Sequence, residues 1–389
     1  MTASALPVVG TLQVSSKGLK RLESGHPWVF KSDVTGTPGL LAGLVDVLGP
    51  DGKNIGTGFF SPSSNITLRV LKRGPKPFSV DELLRRIVAA DERRQWLERN
   101  AYRVVHGEAD FLPGVFVDRY NDVITLQTTC AGADAIEDAL VEGLLEHFKP
   151  RALVVRNNAA VRAREGLSRD IRVAHGTAPV RAVLREGELD YEIDVLGEQK
   201  TGAFLDQLDN HVRARRFARG RGFDGYTYHG GFALQMAAGG CTEVVACDQS
   251  ESALEVVRAR AEKMNVSTVQ GDVLEVLQAF DADGVRFDTM VIDPPAFAST
   301  RATVKRALYA YEELNATAMR CVAPGGILIS CSCSGQVSGV EFDQMLARAA
   351  RSASRRALIL ERHGAGLDHP VLAGVPETEY LKCRIVQFG

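Results

Sequence analysis

Two thiols, Cys331 and Cys333, stand in Cys331-Ser332-Cys333-Ser334-Gly335, directly after the apolar run Gly326-Ile327-Leu328-Ile329-Ser330. Upstream, the apolar run Phe287-Asp288-Thr289-Met290-Val291-Ile292 ends in Asp293-Pro294-Pro295-Ala296-Phe297. Both runs read as strands of an open parallel sheet, in which ligands bind in the crevice outside the carboxyl ends. Neighbouring strands of that kind would bring a sulfur nucleophile and a carboxyl anchor into one pocket. The plainer reading of both cysteines is that of small buried strand residues. Alternation aims the two thiols at the same face for as long as the strand continues.

A ladder of acids precedes them. Gly222-Phe223-Asp224-Gly225 leads into Tyr226-Thr227-Tyr228-His229-Gly230-Gly231 and a helix; Val244-Val245-Ala246-Cys247 ends in Asp248, and Thr268-Val269-Gln270-Gly271 ends in Asp272. Glycines after the first strand let backbone approach a ligand closely. An acid ending the second strand can accept both hydroxyls of a ribose, and Asp272 suits an adenine amino group. The first turn lacks the G-x-G-x-x-G that admits a pyrophosphate to a helix N-terminus, which favours S-adenosylmethionine over a dinucleotide. Taken singly, Asp248 or Asp272 reads equally well as a helix cap. A thiol beside such a cofactor can activate a cytosine: the thiolate adds to carbon 6, carbon 5 becomes nucleophilic, and the thiolate later leaves. Asp293 could hold the edge of the unstacked base.

The elements that must carry these residues follow from composition and turns. With 389 residues, 45% hydrophobic and 24% charged, the chain reads as a folded protein of two or three domains. Seven scattered cysteines form neither a disulfide framework nor a paired zinc pattern, which fits a reducing cytoplasm. No basic start precedes an apolar core at Met1 to Gly10, and no apolar stretch is long enough to span a bilayer, so no membrane partner is expected. Net charge is only −2, but eight Lys or Arg face four acids over Met1 to Arg73, and eight Arg face two acids over Arg151 to Arg185. Those stretches are either polyanion-binding patches or solvated faces.

Strands at Thr11 to Val14, Leu44 to Leu48, Ile55 to Phe60 and Ile66 to Leu71 predict a small β-barrel over 1–73. After the linker Arg73-Gly74-Pro75-Lys76-Pro77, Ser79 and Glu82 form a capping box for an Arg-rich helix through about Arg99. An α+β domain is expected over 74–190, and from Tyr191 strands alternate with helices, the habit of a doubly wound α/β sheet over 191–389.

Several motifs together are specific. Lys200-Thr201-Gly202-Ala203-Phe204-Leu205-Asp206-Gln207, Tyr228-His229-Gly230-Gly231-Phe232, Asp293-Pro294-Pro295 with Phe297, Ser332-Cys333-Ser334-Gly335, and Asp368-His369-Pro370 with Tyr380-Leu381-Lys382 resemble the large-subunit (23S) ribosomal RNA cytosine-5 methyltransferases. Lys20-Arg21-Leu22 with Gly25-His26-Pro27-Trp28-Val29-Phe30 is similar to that family's N-terminal PUA domain, and His106-Gly107-Glu108-Ala109-Asp110 with Val117-Asp118-Arg119-Tyr120 to its central domain.

The resemblance implies a class I, Rossmann-like, S-adenosylmethionine-dependent fold behind a PUA-like barrel. Cys333 is then the nucleophile and Asp293 the base-positioning group. The implied cofactor set is Asp224, Tyr228, His229, Gly230, Phe232, Asp248, Gln249, Asp272, Val273 and Asp293, with Phe204 and Gln207 from the segment ahead of the first strand. Lys20, Arg21 and His26 fall on the RNA-binding side, and Trp28 in the barrel core. The chain departs from the family pattern at Leu208, where Arg is usual, at His229, where Thr is usual, and at Glu312, where Tyr-Lys is usual after Tyr311.

The expected activity is therefore methylation of cytosine carbon 5 in 23S ribosomal RNA, free or in a large-subunit assembly intermediate, by a cytoplasmic enzyme whose homodimerisation stays open. Two other readings stand beside it. One is methylation of an exocyclic amino group, since Asp-Pro-Pro followed by an aromatic also serves amino-directed enzymes; the other is a non-catalytic ribosome-assembly factor that binds RNA.

Overall fold

The computed structural model describes residues 5–36, 39–197, 203–298 and 300–389. The chain divides into two units, Met1–Leu205 with Leu367–Thr378, and Asp206–Gly366 with Glu379–Gly389. In the first unit the expected strands appear as Val8–Val14, Gly43–Leu48, Asn54–Phe60 and Leu68–Arg73. Short strands at Trp28–Val29 and Val34–Thr35 extend them to six, with Val8–Val14 parallel to Gly43–Leu48. Alternation buries Leu12, Val14, Val45, Val47, Phe60 and Leu68 in one core.

A second, five-stranded sheet in the same unit runs in the order 170–175, 152–157, 123–128, 115–120 and 101–106. Helices Val80–Gln95 and Glu137–Phe148 bury Leu83, Ile87, Leu140 and Leu144 against it. Ser79 caps the first of these helices, its hydroxyl accepting from the Glu82 N–H at 3.3 Å. The reciprocal half of the expected capping box is absent, because the Glu82 carboxylate is taken by Lys72 and Arg86.

The His106 to Asp110 motif folds into a short turn, and its acid anchors a buried ionic hub. Arg94 donates to Asp110 Oδ1 and Oδ2 at 2.9 and 2.6 Å and to the Asp368 carbonyl. Arg103 pairs with Asp118, while its N–H donates to Asp368 Oδ2 at 2.8 Å. Burial would raise the Asp368 carboxyl, but His369 at 2.9 Å and the Arg103 N–H hold it below the usual range. Asp368-His369-Pro370 thus closes the first unit.

Five of the eight arginines of the basic stretch meet acids folded beside them, Arg162 pairing with Asp134 at 2.7 Å. Arg151 meets Asp122 at 2.8 Å, Arg172 meets Glu137 at 2.6 Å, Arg181 meets Glu192 at 2.7 Å and Arg185 meets Asp190 at 2.8 Å. Partners brought in from other segments cancel much of the excess that a local count of residues registers.

In the second unit, strands β1 (Gly220–Gly225), β2 (Cys241–Asp248), β3 (Val266–Gln270), β4 (Phe287–Ile292), β5 (Val322–Ser332), β6 (Ala357–His363) and β7 (Lys382–Phe388) form one sheet. Their order is β3-β2-β1-β4-β5-β7-β6, with β7 antiparallel to both its neighbours and the first five parallel. Helices α1 (Leu208–Arg215), α2 (Gly231–Gly239), α3 (Glu251–Arg260), α4 (Val273–Ala282), α5 (Val304–Cys321) and α6 (Gly339–Ser352) supply the layers. Met290, Leu328 and Val386 pack with Leu277, Tyr311 and Phe342 on one face. Val291, Ile329 and Ile385 pack with Ala214, Phe232, Met236 and Val257 on the other. This is the doubly wound α/β architecture expected from the alternating pattern.

The turn between β1 and α2 departs from ordinary backbone. Tyr226, Tyr228 and Gly230 have φ of 66°, 49° and 84°, so two tyrosines occupy the left-handed region that favours glycine. Asp224 holds this turn from below, its Oδ2 accepting from the Thr227 hydroxyl at 2.6 Å and the Ala233 N–H at 2.9 Å. A side chain at Gly231 would meet the His211 ring at 2.3 Å, which explains the second glycine. Burial pushes the Asp224 carboxyl up to about 7; the Thr227 hydroxyl, His211 and the Ala233 N–H oppose the rise, and Asp293 adds to it.

Two consequences are measurable. Asp110→Asn leaves the buried Arg94 guanidinium half-paired and should lower the unfolding free energy by about 3 to 5 kcal/mol in urea titrations, whereas replacing both partners by apolar residues should cost less. At Asp224 the folded chain holds its proton more tightly than the unfolded chain, so the group's stabilising contribution is present below about pH 3.8 and lost as pH rises to 7. Asp224→Asn, whose amide oxygen can still accept both hydrogen bonds, should therefore stabilise the chain by on the order of 2 kcal/mol more at pH 8 than at pH 5. An equal effect at both pH values would assign the titration to another group.

Candidate active site

The carboxyl ends of β1, β2, β4 and β5 gather the acids and the thiol. Strand order reverses between β1 and β4, and the Asp293 N–H bonds the Gly225 carbonyl across that line at 3.3 Å. Asp293 is half-buried, and Gln207 donates to its Oδ2 at 2.7 Å. The Gln207 carbonyl is fixed in turn by Asn210 Nδ2 at 2.7 Å, and that amide also reaches the Gly364 carbonyl at 3.0 Å. One oxygen of Asp293 is thus oriented by a chain of amides.

Cys333 lies one residue beyond the last paired residue of β5, since Ser332 opposite Lys382 closes the ladder with β7. Its Sγ lies 3.8 Å from the Pro294 carbonyl, so the thiol and the Asp-Pro-Pro segment share one end of the sheet. The flanking serines hold this turn. Ser332 donates to the Tyr311 hydroxyl at 3.0 Å, Ser334 shares a 3.0 Å bond with the same hydroxyl, and Ser334 Oγ accepts from the Ala298 N–H at 3.1 Å. Burial pushes the Tyr311 hydroxyl up, which keeps it neutral as the hub of these bonds.

The two cysteines differ in kind. Cys331 is fully buried, continues the Ile327 and Ile329 row into the core, and faces Cys383 in register on β7. Burial, then Cys383, pushes its thiol well above the usual range. Cys333 alone among the seven cysteines is not buried. Strand alternation does not relate the two, because the strand ends between them.

The remaining sequence candidates separate into groups. The Tyr228 N–H donates to Asp248 Oδ2 at 3.0 Å, and the ring of Tyr228 stacks on His229 with centroids 3.7 Å apart. Arg260 donates to the His229 carbonyl at 3.2 Å. Gln249 Nε2 reaches Asp272 Oδ2 at 2.9 Å, joining the ends of β2 and β3, while Asp272 Oδ1 caps α4 through the Leu274 and Glu275 N–H groups. Asp272 therefore carries both a cap and a link to the ladder. Phe232 and Val273 are core residues, the first packed edge-on to His211 with centroids at 4.3 Å, the second close under Gly225. Phe204 belongs to the first unit, and Lys200, Thr201 and Gly202 lie outside the described residues.

Lys20 is exposed, Arg21 half-buried over the Phe30 ring, and His26 buried. Burial and then Arg21 lower the His26 imidazole, and its Nδ1 accepts from the Trp28 N–H at 3.1 Å. Trp28 spends its indole N–H on Glu108 at 2.8 Å. The departures from the family pattern have local partners: Leu208 is buried at the start of α1, and Glu312 bridges α5 to α6 through Arg348 at 2.7 Å.

Sequence reasoning assigned no role to Lys382. It is only 3% exposed, and its Nζ donates to the Ser334 carbonyl at 2.6 Å and the Tyr380 carbonyl at 2.9 Å, tying the residue after Cys333 to the start of β7. An apolar strand that opens on a lysine was the available signal. As for a cofactor, Asp224 Oδ1 is buried without a donor among the described residues, and a ligand ammonium is a donor of the right charge. Asp248, half-exposed at the end of β2, accepts the Tyr228 N–H on one oxygen and the Ser250 N–H, at 2.9 Å, on the other.

Residues 12–73 match a PUA-like domain, and residues 176–375 match the S-adenosylmethionine-dependent methyltransferase family. Ribosomal RNA large subunit methyltransferase I of Vibrio cholerae serotype O1 is 35% identical over 386 residues, covering 94% of this chain and 97% of its own. The protein of that name from Salmonella typhimurium is 34% identical over 404 residues, covering 99% and 100%. Among solved structures, a Streptococcus mutans protein described as a SAM-dependent methyltransferase shares the fold with a TM-score of 0.82 at 17% identity, covering 98% of this chain and 100% of its own. A methyltransferase complexed with SAH does so with a TM-score of 0.83, at the same identity and coverage. With more than half its length inside the family model and nearly all of it aligned to these relatives, the chain belongs to the S-adenosylmethionine-dependent methyltransferases and groups there with the ribosomal RNA large subunit methyltransferase I proteins.

Proposed function

We propose that this chain methylates carbon 5 of a cytosine in large-subunit (23S) ribosomal RNA, in the cytoplasm, through a covalent adduct with Cys333. The PUA-like barrel (1–73) and central domain (74–190) hold RNA, and the domain from 191 onward carries the chemistry. One observation carries the reading: Cys333, the only cysteine that is not buried, stands beside Asp293-Pro294 at the end of the sheet where the acid ladder converges. The ribosomal substrate is supported by relatives that align over nearly the whole chain and bear that name.

Asp224, Tyr228, His229, Gly230, Asp248, Gln249 and Asp272 surround the cofactor site, and S-adenosylmethionine supplies there an electrophilic methyl group. The Cys333 thiolate adds to carbon 6 of a cytosine flipped out of its stack, which places electron density on carbon 5. Asp293, oriented by Gln207, holds the cytosine edge, and a proton shared between its carboxyl group and ring nitrogen 3 offsets the negative charge that develops there. After transfer, loss of the carbon 5 proton lets the thiolate leave. Both protein groups sit on strand ends fixed by packing, so little reorganisation is needed at the moment of addition.

Cys333→Ala should abolish methyl transfer to ribosomal RNA from a deletion strain while leaving S-adenosylmethionine binding, read by calorimetry, within about twofold. RNA bearing 5-fluorocytosine should form a trapped adduct with the wild type and none with Cys333→Ala; wild-type turnover with no adduct would favour the exocyclic amino group as target. Cys331→Ala removes only a buried sulfur from the core. It should cost about 1 kcal/mol of stability and keep most of the activity; a loss matching that of Cys333→Ala would reverse the ordering of the two thiols.

A further inference from the structure

We propose that Lys382 is a positioning residue whose ammonium holds Cys333 as a thiolate, a role that rests on the proposed use of Cys333 as the nucleophile. Lys382 opens β7 directly opposite Ser332, and the chain reaches Cys333 with its next residue. Two of its three N–H groups go to the carbonyls of Ser334, the residue after Cys333, and of Tyr380, which fixes the ammonium against the thiol turn. Among the described residues the third has no hydrogen-bond partner, which leaves it for an anion alongside.

The charges around the pair support this use. Burial lowers the Lys382 ammonium to about 8; the Cys333 thiolate is the leading influence drawing it back up, Glu379 and Glu341 add to that, and Arg384 opposes it. The Tyr311 hydroxyl, bonded to the serines before and after Cys333, is pushed up by burial and stays neutral. Arg384 is itself neutralised by Asp343 at 2.5 Å, and Glu341 is engaged in capping α6 at Ser338. Among these groups Lys382 is the cation bonded to the thiol turn, through the Ser334 carbonyl. Holding an ammonium at 3% exposure costs stability at neutral pH, and donating to two carbonyls is a task that a neutral donor performs without that cost. A positive charge beside a thiol is also the standard means of lowering its pKa into the range where the thiolate is populated.

The test is the pH dependence of iodoacetamide alkylation at the Cys333 peptide, followed by mass spectrometry on the full chain without RNA or cofactor. Because the other six cysteines are buried, Cys333 should dominate the fast phase. The wild-type midpoint should lie at least about one unit below the ordinary thiol value of about 8.5. Lys382→Met should move it up by about one unit or more, and Lys382→Arg should restore most of the difference. A wild-type midpoint at or above the ordinary value overturns the proposal, as does an unchanged midpoint in a folded Lys382→Met chain. Should Lys382→Met not fold, the wild-type midpoint and its retention in Lys382→Arg decide the matter. The readout needs no turnover, so a low midpoint with an active Cys333→Ala would sink the nucleophile reading while leaving the ion pair standing.

Discussion

The site depends on β5 leaving its sheet at one residue. Up to Ser332 the strand is paired and its alternate side chains are buried; one residue later the same chain presents a partly exposed sulfur. That break is held by side-chain hydrogen bonds, with the Tyr311 hydroxyl receiving Ser332 and meeting Ser334, and the Ala298 N–H bonding Ser334 from the adjoining loop. A cysteine in a free loop would sample many rotamers. Here both neighbours are fully buried, so the sulfur is confined by the backbone on either side.

Around that break the topology does the gathering. Because strand order reverses between β1 and β4, the helices following them leave on opposite faces and open a crevice at the carboxyl ends. Residues separated by tens of positions then meet: Gln207 reaches Asp293, Tyr228 reaches Asp248, and Gln249 reaches Asp272. Each acid of the ladder already serves the fold, as a cap, a turn brace or an inter-strand link. A ligand at this crevice would bind to groups held rigid for structural reasons, which keeps the ordering cost of binding low.

Charge is treated differently in the two units. In the first, Arg94, Arg103, Asp110, Asp118 and Asp368 form a buried network that ties a strand pair and a helix to the returning 367–378 segment. Such a network resists rearrangement, because removing any partner strands another charge in the core. In the second, the buried ammonium of Lys382 bonds two backbone carbonyls and, among the described residues, no carboxylate, which leaves its charge available to a neighbour. The first arrangement stabilises a unit; the second sets a local potential.

Much of this was legible in residue order. Period-two alternation and turn residues located the strands of the small sheet, the alternation of strands with helices specified the doubly wound architecture, and acids at strand ends marked the ladder. These are local signals, carried within a few residues of each feature. What sequence order left undecided is non-local. Whether Cys331 or Cys333 faces the crevice depends on where β5 stops pairing with β7, a distant segment. Whether the basic stretch is a charged patch depends on acids such as Asp122 and Glu137 brought beside it from other segments. Phe232, Val273 and His26 read as site residues by position, and only the fold shows their packing against His211, Gly225 and Trp28. Lys382 became notable only when the antiparallel last strand delivered it next to Cys333. Element types and family were written in residue order; register and burial, which depend on distant partners, decided which candidate side chains are packed away and which lie open at the strand ends.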